Sequence, residues 1–185
     1  MRKAFFQLHI AVFLAGFTGI LGDLIKLNEG LLVWYRLLFT AATMWLLFSW
    51  QKLIKRISVA DILRIAGVGI LAAMHWVLFY ASIKYANVSV GLVCLSASGL
   101  FTAVLEPVIE RKRIRKNEIM LGMITMIGIA IIFHFDTRYK VGIAIGLVST
   151  FFASLFPIFN RRYLKRINVE TLLCWQQTGG FVFLS

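Results

Sequence analysis

The chain contains 185 residues, of which 60% are hydrophobic, and its mean hydropathy is +0.84. Soluble domains contain about 45–50% apolar residues, so this composition excludes an ordinary soluble domain and indicates a membrane protein. The net charge of +12 would suggest nucleic-acid binding in a soluble protein, but no basic stripe here is interleaved with aromatic residues, and we expect no nucleic-acid partner.

Hydropathy predicts an all-α membrane protein, a polytopic helical bundle. Apolar runs of about 20 residues match a hydrocarbon core roughly 30 Å thick, and helices are the structure that such runs adopt. The alternating segments typical of a transmembrane barrel are missing from the sequence. Six full spans are predicted, at 5–22, 31–50, 63–83, 88–109, 118–135 and 141–159.

A seventh apolar segment begins near Thr171, and the sequence reaches Ser185 within it. Fifteen helical residues rise only about 22 Å, which is short for a span. We therefore expect either a re-entrant segment or a sequence that is part of a longer protein, and we favour the second.

Polar residues at the predicted span boundaries indicate helix starts. Ser58 with Asp61 three residues later has the capping-box pattern. Asn87, Asn117 and Asn168 each precede an apolar run and are predicted N-caps of the same kind. The connections between the predicted spans are short, so neighbouring helices are predicted to be antiparallel.

The cations alternate between the two membrane sides. Fifteen of the twenty Lys and Arg residues lie in the N-terminal segment and in the loops after the second, fourth and sixth spans. The opposite loops carry only Lys26, Lys84, Arg138 and Lys140. By the positive-inside rule, this pattern predicts a multi-pass protein of the cell (inner) membrane with a cytoplasmic N-terminus. Attraction to anionic lipid accounts for the basic loops, so membrane lipid is an expected partner.

Sequence similarity between two parts of the chain predicts an internal repeat. "LVWYRLLF" at 32–39 resembles "LLCWQQTGG" at 172–180 when Trp34 is laid on Trp175, which aligns Arg36 with Gln177. "HIAVFLAG" at 9–16 similarly resembles "GIAIGLVS" at 142–149. Five spans precede the second copy, so the two copies would have opposite orientations, as in many secondary transporters.

Residues 78–114, "LFYASIKYANVSVGLVCLSASGLFTAVLEPVIERKRI", resemble the third-to-fifth-span region of EamA-type permeases of the drug/metabolite transporter superfamily. "GFTGILGDLI" and "LVWYRLLF" are similar to that family's first two helices. The resemblance implies ten helices in two inverted five-helix repeats, with residues 1–135 as the first repeat and 141–185 as the start of an incomplete second. The sequence departs from the family pattern by having Gly99 where a proline often stands, with Pro107 further along.

Arg36 is the first candidate for a functional side chain, because it lies about 8 Å below the outer boundary of its span. It can snorkel into lipid headgroups, or it can line the outer vestibule of a substrate cavity. Asp23, Glu29, Tyr80 or a freed backbone carbonyl are its candidate partners. Glu106 lies about 19 Å deeper, which excludes an ion pair with Arg36. We expect Glu106 to pair with Arg111 or Lys112, with proton coupling as the alternative.

A second group of candidates lies near the midplane and at the inner side. His75, Ser96 and Ser98 have comparable depth, and Gln177 occupies the position that the repeat pairs with Arg36. Small polar residues there can serve close helix packing or line a cavity. The predicted substrate-binding set is Arg36, His75, Tyr80, Ser96, Ser98 and Gln177.

The leading hypothesis is an alternating-access permease for a small polar or amphipathic metabolite, with a proton as the candidate coupling ion. A non-transporting scaffold or subunit that assembles with a partner is the alternative, and the oligomeric state stays open. No enzyme motif is present, and no cofactor is expected. His9, His75 and His134 lie at different depths, so we predict no metal site; Cys94 and Cys174 likewise lie too far apart in depth for a disulfide.

Overall fold

The computed structural model describes residues 2–133 and 137–185, and every long regular element in these ranges is an α-helix. The prediction of an all-α polytopic bundle is therefore confirmed. A short 3-10 turn, Thr137–Tyr139, precedes the seventh helix. The helices are α1 (Arg2–Leu24), α2 (Glu29–Trp50), α3 (Val59–Tyr85), α4 (Val88–Leu95), α5 (Ser98–Glu110), α6 (Lys116–Phe133), α7 (Lys140–Tyr163) and α8 (Val169–Leu184).

Each predicted span coincides with a helix or a pair of helices. Within the described residues, five segments are long and apolar enough to cross a membrane: Phe5–Leu24, Glu29–Trp50, Val59–Tyr85, Val88–Glu110 and Lys140–Tyr163. The predicted span 118–135 corresponds to α6, and its last two residues lie outside the described residues. The segment after Thr171 belongs to α8, which has 16 residues.

The fourth span is broken into α4 and α5, which the sequence did not predict. Ser96 and Ala97 donate their backbone N–H groups to the carbonyls of Val93 and Cys94, three residues back, so the backbone tightens locally before α5 begins. Pro107 lies inside α5 near its end. The break thus lies about ten residues before the proline in the chain.

Side-chain caps fix several helix starts. Ser58 accepts a hydrogen bond from the N–H of Asp61, and Asn87 accepts one from Val90, as predicted. The prediction for Asn117 is wrong because α6 begins one residue earlier, at Lys116. Asn168 precedes α8 without a side-chain cap bond; its amide instead donates to the carbonyl of Leu53 at 2.7 Å.

Helix α3 is the centre of the bundle and packs against both α7 and α8. Glycines allow the close approach. A Cβ at Gly69 would overlap with the carbonyl oxygen of Gln176 in α8, and a Cβ at Gly142 in α7 would lie 2.5 Å from the Cβ of Ala86. The Gly142-x-x-x-Gly146 face therefore packs within the chain, against α3 and α4.

Substitution of these glycines tests the packing. Gly69→Ala should lower stability by about 1–3 kcal/mol, because the added methyl group forces α3 and α8 apart. Gly67→Ala on the same helix is the matched control, because nothing lies within 4 Å of its Cβ position. That change should leave stability unchanged or raise it by up to about 1 kcal/mol. Thermal unfolding of the detergent-solubilised protein measures both; equal melting temperatures for the two variants would contradict this account.

Candidate functional site

Arg36 of α2 is held by two aromatic residues of α3. Its Nη1 donates a hydrogen bond to the Tyr80 hydroxyl at 2.8 Å. Its guanidinium carbon lies 3.5 Å from the centroid of the Trp76 ring, a close cation–π contact. Trp76 and Tyr80 lie one turn apart on α3, so both present their rings to the same residue of α2. Of the partners considered from sequence, Tyr80 is the one that the structure selects.

No carboxylate of the described residues lies within ion-pair distance of Arg36. Glu29, a candidate from sequence, instead lies 3.9 Å from Lys84. Glu106 pairs with Arg161, in agreement with the predicted depth difference between Glu106 and Arg36. Among the described residues, the guanidinium thus has no counter-charge, and one N–H donor is used by Tyr80 while the others can bind water or a ligand.

Arg36 and Tyr80 line a cavity of about 440 Å³ between α1, α2 and α3. Its volume lies within the range of small-molecule sites, about 300–1,000 Å³. Most of the wall is apolar, and no acidic side chain is among the described residues that form it. The remaining wall residues are Thr18, Leu21, Gly22, Ile25, Leu27, Leu32, Tyr35 and Phe39.

Tyr80 is buried, with only 3% of its surface exposed, so it is not an aromatic residue of the membrane interface. Helix α1 covers its ring at Gly22, where a Cβ would overlap with the ring carbons. Tyr35 and Tyr85 are exposed, as belt residues should be. The missed signal was the i, i+4 pairing of Trp76 with Tyr80, two aromatic residues that can face Arg36 of the second predicted span together.

His75 belongs to a different contact, the joint between α3 and α7. Its Nδ1 lies 2.9 Å from the Ser149 hydroxyl, which in turn donates to the His75 carbonyl at 2.9 Å. Both residues are buried, and His75 is not among the residues that line the Arg36 cavity. His9 binds its own helix at the Phe5 carbonyl, and His134 lies outside the described residues.

Ser96 and Ser98 flank the break in the fourth span and have different surroundings. Ser96 is exposed, and its hydroxyl donates to the Val93 carbonyl at 2.6 Å. Ser98 lines a groove of about 510 Å³ between α5 and α6 that runs toward Glu106. Neither serine joins the Arg36 cavity.

Gln177 is half-buried on α8, and its neighbour Gln176 makes the interhelical contact. The amides of Gln176 and Asn160 pair reciprocally, with Gln176 Nε2 donating to Asn160 Oδ1 at 2.8 Å. The sequence analysis missed this pair because the repeat alignment selected Gln177, the residue next to Gln176. Successive helical residues lie about 100° apart, so a shift of one residue moves the side chain to another face.

At the opposite end of the bundle, Glu106 joins α5 to α7. Arg161 Nη1 lies 2.7 Å from Glu106 Oε1, and Lys112 Nζ lies 3.6 Å from the same oxygen. Lys112 was predicted as a partner and Arg161 was not. Cys94 and Cys174 are both free and buried, as expected from their different depths.

The chain is similar to known transporters over most of its length. The profile of the EamA-like transporter family matches residues 2–134. A protein of Archaeoglobus fulgidus that is named an uncharacterized transporter is 26% identical over 119 residues. This match covers 64% of the chain and 43% of the relative, so the chain spans less than half of that relative's length. No solved structure matches the chain.

The His75–Ser149 joint gives a prediction that separates packing from ligand binding. Ser149→Ala should lower stability by about 1–3 kcal/mol, because it leaves buried polar atoms of α3 with fewer partners. Ser96→Ala is the control, since that hydroxyl is exposed and bonds only its own backbone. Thermal unfolding in detergent should show a lower melting temperature for Ser149→Ala alone. A Ser96→Ala variant that is equally destabilised would contradict the assignment.

Proposed function

Because the chain belongs to the EamA-like transporter family, we propose that the protein moves a small polar or amphipathic metabolite across the membrane by alternating access. The resemblance predicted from sequence is confirmed by the family match, and the chain is a multi-pass membrane protein. The observation that carries the proposal is the charged Arg36 at the wall of a largely apolar cavity, without a counter-charge in the described residues.

The polar groups of this cavity favour a ligand with an acceptor-rich head. Arg36 offers guanidinium N–H donors, and Tyr80 accepts from Arg36 while its own O–H remains available to donate. Arginine binds carboxylates in a planar, two-pronged geometry, and the bond is strengthened where water is excluded. The apolar side chains of α1 and α2 would contact the rest of the ligand. Among the described residues, no carboxylate of this wall would balance the charge of a cationic ligand beside Arg36.

Contact with Trp76 suits Arg36 to this role. An arginine that only anchors the helix in lipid headgroups needs no partner beyond water and lipid. Here the guanidinium is instead fixed by a ring beneath it and a hydroxyl beside it, both from α3. Such pre-organisation reduces the entropy that a binding site loses when the ligand arrives.

We place this site in the first of two inverted repeats, residues 1–135, with residues 141–185 as the beginning of the second. The contacts between α2 and α8 support the repeat. Trp34 Nε1 donates to Ser185 Oγ at 3.0 Å, and Trp175, the counterpart of Trp34, packs against Trp45 with ring centroids 5.2 Å apart. The alignment that pairs Trp34 with Trp175 pairs Ser185 with Met44, next to Trp45. The second contact thus lies one residue from the position that an exact two-fold relation between α2 and α8 would give.

Substitution of Arg36 tests the proposed function in the full-length protein. A screen of radiolabelled metabolites in proteoliposomes first identifies a transported compound. Arg36→Lys keeps the charge but loses the planar donors, and Tyr80→Phe loses one hydroxyl; each should reduce uptake about tenfold or more. Arg36→Leu should abolish uptake while membrane insertion persists.

Arg64→Leu is the control for loss of one arginine, because Arg64 is exposed and its ion pair is with the nearby Asp61. Uptake should be unchanged in that variant. Wild-type uptake by Arg36→Leu would remove Arg36 from the site and favour the snorkelling interpretation. A protein that transports nothing in the screen but co-purifies with a defined partner would favour the scaffold alternative.

Orientation is a separate prediction, motivated by the cation distribution. Reporter fusions after Lys116 should be cytoplasmic, and fusions after Lys140 should lie on the outer side of the inner membrane. Alkaline phosphatase and green fluorescent protein activities measure the two locations. The reverse pattern would contradict a cytoplasmic N-terminus.

A further inference from the structure

A strongly basic cavity lies where α5 and α7 end, on the membrane side that also carries the N-terminus. Its volume is about 640 Å³, large enough for a polar headgroup. It is lined by Ile109, Glu110, Arg111, Lys112, Arg161, Arg162 and Lys165. We propose that this cavity binds the phosphate headgroup of an anionic phospholipid. The inference rests on this end of the bundle and is independent of the transport proposal.

The charges in the cavity are not balanced within the protein. Five cations line it against one carboxylate, Glu110, which already forms an ion pair with Lys112. Arg161 is engaged by Glu106 at 2.7 Å. Within the described part of the chain, Arg111, Arg162 and Lys165 make no ion pair or side-chain hydrogen bond. Three cations therefore converge, without a direct ion-pair partner among the described residues, on a concave surface where five cations face one carboxylate, and a phosphate group would supply the missing negative charge.

The backbone turn after α5 brings one of these cations into place. Arg111 ends the helix in the left-handed region, with φ of 53°, where glycine is the usual residue. The N–H of Lys112 donates to the carbonyl of Pro107 at 2.9 Å and closes the turn. A guanidinium thus stands at a position that glycine, which has no side chain, usually occupies in such a turn.

A second, apolar cavity adjoins the first and distinguishes a lipid from a free anion. It has a volume of about 410 Å³ and shares Arg161 and Lys165 with the basic cavity. Phe156, Pro157 and Leu164 form most of its remaining wall. Phe156 lies five residues before Arg161 on α7, about 7.5 Å toward the membrane interior. An occupant that fills both cavities has an anionic head at the interface and an apolar chain running into the hydrocarbon core.

Generic attraction of basic loops to an anionic surface does not require such a site. The loop between α2 and α3 carries Lys55 and Arg56 on the same membrane side, and both are exposed and outside the two cavities. They provide a control that removes the same charge from the same face. If the site is specific, only substitutions of the cations in the cavity should change the number of lipid molecules bound per protein.

The experiment uses the full chain purified in detergent. Phosphatidylglycerol and phosphatidylcholine with the same acyl chains are added, and bound lipid is counted by native mass spectrometry. The wild-type protein should retain phosphatidylglycerol in preference to phosphatidylcholine. Each cation near a membrane surface contributes about fivefold to the affinity for an anionic lipid, so Arg162→Gln/Lys165→Gln should weaken binding about 30-fold. Lys55→Gln/Arg56→Gln should bind as the wild type does.

Two further measurements test the contributions of the phosphate headgroup and of the acyl chain separately. Inorganic phosphate and glycerol phosphate should fail to displace the lipid at concentrations equal to that of the lipid, because they lack the acyl chain. Leu164→Gln, an exposed position in the apolar cavity, should weaken retention of phosphatidylglycerol without changing the preference for its headgroup. Displacement by inorganic phosphate alone would show an anion site rather than a lipid site. Equal weakening by the two double variants would leave only non-specific surface attraction and overturn the proposal.

Discussion

The hydrocarbon core contains no water to satisfy polar groups, and this constraint explains most of the contacts that hold the bundle together. The hydroxyl of Ser82 donates to the Gly142 carbonyl at 2.7 Å, and Thr150 donates to the Cys94 carbonyl at 3.0 Å. Among the described residues, Asn168 Oδ1, outside the spans, is the buried side-chain oxygen or nitrogen left without a partner. Helix α3 therefore binds α7 through polar contacts as well as through close packing at glycines.

Arg36 differs from these residues because its partners orient the guanidinium but do not neutralise its positive charge. Tyr80 and Trp76 orient the guanidinium, but neither supplies a negative charge. A charged group inside a membrane is costly, and such residues usually face a water-filled cavity or pair with an anion. The cavity beside Arg36 offers the first of these solutions, and an anionic ligand would offer the second. The functional proposal therefore follows from the charge of Arg36, which no described residue of the protein balances.

The sequence predicted features that depend on local composition and on depth. Apolar run lengths located the helices, alternation of cations predicted the sidedness, and residue counting placed Tyr80 within reach of Arg36 while separating Glu106 from it. The sequence did not predict which face of a helix meets its neighbour, nor which residues far apart in the chain form a pair. The choice of Gln176 over Gln177 depends on which face of α8 meets Asn160, and the Arg161–Glu106 pair joins residues 55 positions apart. The break at Ser96 was missed because neither glycine nor proline occupies it.

The central claim is that Arg36 faces water rather than lipid, and accessibility of α1 tests it most directly. Leu21 lines the cavity, whereas the adjacent Ile20 is comparably exposed but does not line it. Single cysteines at these positions, in a full-length protein with Cys94 and Cys174 replaced by alanine, can be treated with a charged, membrane-impermeant thiol reagent in intact membranes. The account predicts rapid labelling of Leu21→Cys and protection of Ile20→Cys. Equal protection of both positions would show that the space beside Arg36 excludes water and would contradict the account.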